Sequence, residues 1–180
     1  MDKQETREDE VARVRSYLAS QAMRRTPAQL VEALREAHQQ FLAATAGVPD
    51  AAFLTTPKEG EWSAADVLVH VRAIAAFDER SISSVIERGE QPANVDDAIK
   101  QAPTNATREH MLADIEAFRE RLIAVVMRAD PQAHLDIVWG HREFGKMNWR
   151  EWLLFARVHT LDHARQIQSI AAVLASTPQP

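Results

Sequence analysis

His159-Thr160-Leu161-Asp162-His163 places two imidazoles four residues apart in a stretch with helical periodicity, and His70 falls on the apolar side of another such stretch far upstream. Residues four apart lie one above the other on the same helix face. His159 and His163 can therefore offer two ring nitrogens to one ion, and His70 can add a third if its helix faces theirs. Three neutral imidazoles suit a divalent transition metal such as zinc, nickel, cobalt or iron, and leave positions open for water or a substrate. Asp66, one turn before His70, and Asp162 are candidate carboxylates to orient these ligands or to join them. Histidine pairs at this spacing also occur as ordinary core residues. The weight of the argument lies in three inward-facing histidines on two helices.

Better-known arrangements do not fit. Thr160 stands where a zincin requires its glutamate, and Asp162 would have to replace the glutamate of the inverted His-x-x-Glu-His pattern. His141-Arg142-Glu143 lacks the Cys-x-x-Cys partner of the zinc deaminases. There is no Glu-x-x-His pair for a di-iron bundle and no glycine-rich phosphate loop.

The elements that must position the histidines read as helices. Thr26-Pro27-Ala28-Gln29 is a capping box with proline at the first helical position, followed by an inner stripe of Leu30, Val31, Leu34, His38, Phe41 and Leu42 and ended by Gly47. Ser63, with Asp66 three residues on, caps a second helix that carries Val67, His70, Val71, Ile74, Phe77 or Asp78, Ser81 and Val85 inward and stops at Gly89. A third runs from about Thr107 to Met127, with Met111, Leu112, Ile115, Phe118, Leu122 and Val125 inward. Asn148-Trp149-Arg150-Glu151 opens a fourth, which reaches about Leu174 and holds His159, His163, Ile167 and Ile170 on its stripe. The link over 89–106, with a short apolar patch at Val95 and Ile99, exceeds the about two to eight residues that join neighbouring antiparallel helices. It predicts a crossover that leaves the second and third helices parallel. Residues 129–147 alternate weakly around Gly140 and Gly145, as a small hairpin or a flap over the site would.

The expected organisation is a polar N-terminal arm over residues 1–25, weakly striped by Val11, Val14, Tyr17 and Leu18, an all-α bundle over 26–175, and a loop tail over 176–180. At 180 residues with only five glycines, the chain is expected to form one helical domain with a substantial core. It has no cysteine, which excludes disulfides, thiolate metal sites and a cysteine nucleophile. A net charge of −5 argues against a general nucleic-acid binder. No apolar run approaches the roughly 20 residues that span a bilayer, and the charged start, MDKQETREDE, is not a secretory signal. A cytoplasmic protein is the expectation.

Taken together, Glu61-Trp62-Ser63-Ala64-Ala65-Asp66-Val67-Leu68-Val69-His70, the long link, and Asn148-Trp149-Arg150-Glu151 followed by His159-x-x-x-His163 and Arg165-Gln166-Ile167 make the chain resemble the DinB-like superfamily over about residues 28–175. That group includes bacillithiol and mycothiol transferases and mycothiol-dependent maleylpyruvate isomerase. The resemblance implies a four-helix bundle of down-up-up-down topology, frequent homodimerisation, and a divalent metal, zinc or nickel foremost, on His70, His159 and His163. It also implies use of the metal to activate a low-molecular-weight thiol.

A metal-dependent transferase or isomerase is thus the first functional expectation, with a small-molecule substrate and a thiol cosubstrate, since the chain supplies no thiol of its own. A metal-dependent hydrolase and a non-catalytic dimeric bundle with a structural or vestigial metal are the alternatives. Arg72, Arg157 and Arg165 are candidate anchors for a substrate carboxylate, although surface ion pairing is the commoner role of such residues. Trp62, Trp139, Trp149 and Trp152 are candidates to wall a pocket, and His38 is a candidate acid–base group if it lies level with His70.

Overall fold

The computed structural model describes residues 6–93 and 107–176. The expected apolar patch at Val95 and Ile99 and all of the tail beyond Ser176 lie outside these residues. Helices α1 (Arg7–Arg24), α2 (Pro27–Ala46), α3 (Ala64–Arg88), α4 (Arg108–Val126) and α5 (Trp149–Ser176) follow in chain order, with a hairpin of β1 (Trp139–His141) and β2 (Gly145–Met147) before α5.

The bundle helices begin where their caps predict. Thr26 Oγ1 accepts from the Gln29 amide while Gln29 Oε1 accepts from the Thr26 amide, and Ser63 and Asp66 repeat the exchange at the head of α3. At α5, Asn148 Oδ1 accepts from the amides of Arg150 and Glu151, and Glu151 returns a carboxylate oxygen to the Asn148 amide at 2.9 Å. Helix α3 stops at Gly89, whose φ of +62° only glycine adopts cheaply; a Cβ there would also lie 2.9 Å from the His134 ring.

The pairing of the four bundle helices follows from constant residue offsets. Arg72–Asp114, Asp78–Arg119 and Glu79–Arg121 pair α3 with α4 in step, so these helices run parallel. His70 meets His159 and Phe77 meets Trp152 in opposite order, so α3 and α5 run antiparallel. The amino-terminal halves of α2 and α5 share one apolar cluster with the carboxyl-terminal halves of α3 and α4. This is the down-up-up-down arrangement, with the first and last bundle helices packed most extensively on each other.

A second apolar cluster fills the other end, built on Phe41, Val67, Leu68, Met111, Ile115 and Ile167. Between the two clusters the bundle helices bring together buried polar residues, among them His38, Asp78, Arg119 and Thr160. Arg119 is the hub of this layer. It donates to Asp78 at 3.0 Å and to Thr160 at 3.2 Å across the core.

The arm packs on the outside of α5 through the fully buried Leu18 and Ala22. Arg15 ties it to Glu151 at 2.6 Å and to the Lys146 carbonyl, and Arg7 reaches Glu143 on the hairpin turn. The hairpin is the form that residues 139–147 take. Trp139 pairs with Met147, both are buried, and the Trp139 ring stacks on Trp152 at 5.3 Å. Among the described residues, no helix is long and apolar enough to cross a membrane.

Candidate metal centre

Antiparallel packing puts the second turn of α3 level with the middle of α5, and three imidazoles meet there. Nε2 of His159 lies 3.1 Å from Nε2 of His70 and 3.1 Å from Nε2 of His163. The three ring centroids stand 4.4–5.1 Å apart. Among the described residues, no other group of three or more His, Cys, Asp or Glu side chains converges closely enough to share an ion.

The donor set fits a cation. Gln166 Oε1 lies 2.8 Å from Nδ1 of His163, so that nitrogen carries the proton and the neutral ring presents a bare Nε2 to the centre. Burial, then the neighbouring His163 and His70, hold the proton affinity of His159 well below the ordinary imidazole range. Burial also lowers that of His163, against the opposing pull of Gln166 and Asp162. Neutral nitrogens whose lone pairs converge repel one another unless a cation sits between them. Two nitrogens each about 2.1 Å from one ion, at angles near 90–110°, stand roughly 3.0–3.4 Å apart, which matches the observed contacts.

Trp62, from the loop before α3, covers one side of the cluster. Its ring lies parallel to His163 at 6.3 Å and edge-on to His70 at 5.2 Å. Beyond it opens a pocket of about 430 Å³ bordered by Trp62, His163 and Gln166. Volumes near this size suit a small organic ligand.

The other sequence candidates lie elsewhere or serve other ends. Asp66 sits at the α3 cap, where its carboxylate accepts from the Ser63 amide at 2.9 Å and the Ser63 hydroxyl at 2.6 Å. Asp162 is exposed, and Gln166 rather than Asp162 holds Nδ1 of His163. Arg72 grips Asp114 on α4 at 2.6 Å and does not line the pocket. Arg157 and Arg165 are also absent from the lining, as are Trp139, Trp149 and Trp152, which are buried in the core.

His38 is likewise removed from the pocket. It faces a smaller cavity of about 110 Å³ between α2 and α4, beside Arg119, with both ring nitrogens buried and without a hydrogen-bond partner among the described residues.

Two residues that the sequence reading did not select shape the centre. Gln166 carried a signal, since i,i+3 spacing on a helix puts it beside His163. Arg119 sits behind His159, and its charge adds to the fall in that ring's proton affinity.

The His38 environment gives a pH test. Burial, with a contribution from Arg119, lowers its pKa to about 4. A depressed histidine contributes stability that is present above its ordinary pKa near 6.5 and is lost as the pH falls through the folded value. Asp78 works the other way. Burial raises it to about 6, so its contribution is present below its ordinary range and is lost as the pH rises through that value. The two oppose each other between about pH 4 and 6. A His38→Gln variant keeps only the Asp78 effect. Relative to that variant, the wild type is expected to lose on the order of 3 kcal/mol as the pH falls from 6.5 to 4. Urea unfolding at stepped pH reads this directly, and parallel stability curves for the two proteins would refute it.

With the site in place, its relatives can be identified. The family model of the DinB superfamily matches residues 33–167. The chain belongs to the DinB superfamily. A solved crystal structure described as TT2238, a four-helix bundle protein, is similar to it with a TM-score of 0.62 and 22% identity, over 80% of this chain and 99% of that one. At that identity the likeness shows the shared fold. No curated protein matches the chain. The family match covers the three histidines, α3, α4 and most of α2 and α5, whereas the arm α1 precedes it.

Proposed function

We propose that this DinB-superfamily chain holds one divalent transition metal, zinc or nickel foremost, on Nε2 of His70, His159 and His163, and transfers or isomerises small molecules with a low-molecular-weight thiol as cosubstrate. The observation that carries the reading is the meeting of three imidazoles, with Nε2 of His159 3.1 Å from Nε2 of both His70 and His163, beside a pocket that borders one of them. When bound, the ion would supply positive charge that lowers the proton affinity of a thiol brought to it.

The chain's own residues do the rest. Gln166 fixes the His163 tautomer, and Trp62 shields the centre from bulk water on the loop side. The pocket holds the partner molecule against His163. The absence of cysteine fits a thiol that arrives from outside. In such a transfer the S–H bond breaks, a sulfur–carbon bond forms at an electrophilic carbon, and the leaving group departs with its electron pair while the thiol proton passes to solvent.

Metal analysis of tag-free protein, followed by turnover of an electrophilic aryl chloride with a panel of thiols, tests the reading. About one metal per chain and turnover strictly dependent on thiol support it. Turnover of ester substrates by metal-loaded protein with water alone would replace it with a hydrolase. Protein that takes up no metal would leave a non-catalytic bundle.

A further inference from the structure

The pocket beside His163 has a charge character opposite to the one that arginine anchors would give. Its apolar wall comes from Pro57, Ile170 and Val173, joined by the Trp62 ring. Gln166 and Ser169 add neutral polar groups, and among the described lining residues Glu61 is the one carboxylate. Among the described residues, no lysine or arginine borders the pocket. Arg72, the candidate on the same helix as His70, is held by Asp114.

A carboxylate at the far end of a metal-bound ligand would therefore meet no basic side chain among the described residues and would face the Glu61 carboxylate. A neutral or cationic group meets no such repulsion. A cation also gains from the electron-rich face of Trp62, which is half-exposed. Charge counting agrees. A divalent ion and a singly charged thiolate sum to +1, which one carboxylate balances, so a second anionic group on the ligand would leave an excess negative charge in a partly enclosed site.

We infer that Glu61 is a specificity-determining residue and that the pocket takes small molecules with an apolar body and a neutral or cationic far end, in preference to anionic ones. The inference rests on the proposed metal and thiol chemistry and names the substrate class for that same site.

The test uses full-length protein loaded with Co²⁺ and three thiols of matched length: 6-aminohexanethiol, 6-mercaptohexanol and 6-mercaptohexanoate. Their charges lie far from sulfur, so their thiol acidities are alike. Binding is read from the sulfur-to-cobalt absorption in the near ultraviolet.

Wild-type protein is expected to bind the amine about tenfold more tightly than the carboxylate, with the alcohol between them, as about threefold per unit of charge at a partly exposed site implies. Glu61→Gln is expected to flatten the series and Glu61→Lys to reverse it. Comparing each thiol across the variants cancels its intrinsic affinity for cobalt.

Equal or tighter binding of the carboxylate by wild type, or an unchanged order in Glu61→Lys, would overturn the inference while leaving the metal reading intact. A cobalt spectrum that no thiol alters, or no cobalt spectrum at all, would overturn the underlying reading and this inference with it.

Discussion

Alanine at His159 is expected to abolish the proposed metal binding and leave the helices standing. His159 is the ligand common to both short contacts, since its Nε2 is 3.1 Å from each of the other two while Nδ1 is buried with no hydrogen-bond partner among the described residues. Its loss leaves two imidazoles and removes the donor that joins them. Affinity is expected to fall by more than about 100-fold, beyond the 10–100-fold typical of changes to residues that only orient ligands. Gln166→Ala, which frees His163 to rotate, should fall within that smaller range. Thermal unfolding with and without metal separates binding from folding. A metal present at about a hundred times its Kd stabilises the wild type by about 2.7 kcal/mol, and His159→Ala should gain close to nothing under the same conditions. Helical circular dichroism should match the wild type in both variants. Retention of one tightly bound metal per chain by His159→Ala would rule out the shared centre.

Arg119→Met is expected to be the most destabilising single change in the core, at about 3–5 kcal/mol. The substitution leaves Asp78 almost fully buried without its cation, and Thr160 without the donor at 3.2 Å. An uncompensated buried carboxylate is what makes half of an ion pair so costly. The double variant Arg119→Met/Asp78→Leu removes both charges and should recover most of the loss, because the two apolar clusters above and below the layer can then join. Acidification should narrow the deficit of the single variant, since Asp78 is already raised to about 6 by burial and would protonate more readily still without Arg119. Chemical denaturation of the wild type and the single and double variants measures the cycle. A cost below about 1 kcal/mol for Arg119→Met would show that the layer does not couple the four helices.

Much of this arrangement was legible in the residues. Reciprocal caps at Thr26, Ser63 and Asn148 mark helix starts because a serine, threonine or asparagine three residues before a glutamine, aspartate or glutamate satisfies amides that have no other partner. The long link between α3 and α4 announced their parallel course. The three histidines could be grouped because helical spacing fixes which side chains share a face.

Arg119 escaped because it looks like its neighbours. In the stretch Glu116-Ala117-Phe118-Arg119-Glu120-Arg121 a charged residue reads as solvent-facing, and apolar periodicity runs the inner stripe through Phe118 and Val125. The buried positions are Met111, Ile115, Arg119, Leu122, Ile123 and Val126, with arginine at a core step. Its partner Asp78 lies on another helix, where no local rule connects them. The arm posed the same difficulty: Arg15 and Glu151 are 136 positions apart, and nothing near either names the other. Asp66 shows how one spacing serves two ends: one turn before His70 it suits both a cap and a ligand-orienting carboxylate, and its bonds to Ser63 establish the cap.

The close union of α2 with α5 also bears on how the molecule is made. On a ribosome, Leu30, Leu34 and Phe41 emerge early, yet the surface that covers them is encoded after Trp149. Until α5 is made, the growing polypeptide therefore carries an uncovered greasy strip, a state that invites chaperones and early aggregation. Only as the last helix leaves the exit tunnel can the chain close in one concerted step, and that same helix delivers two of the three histidines.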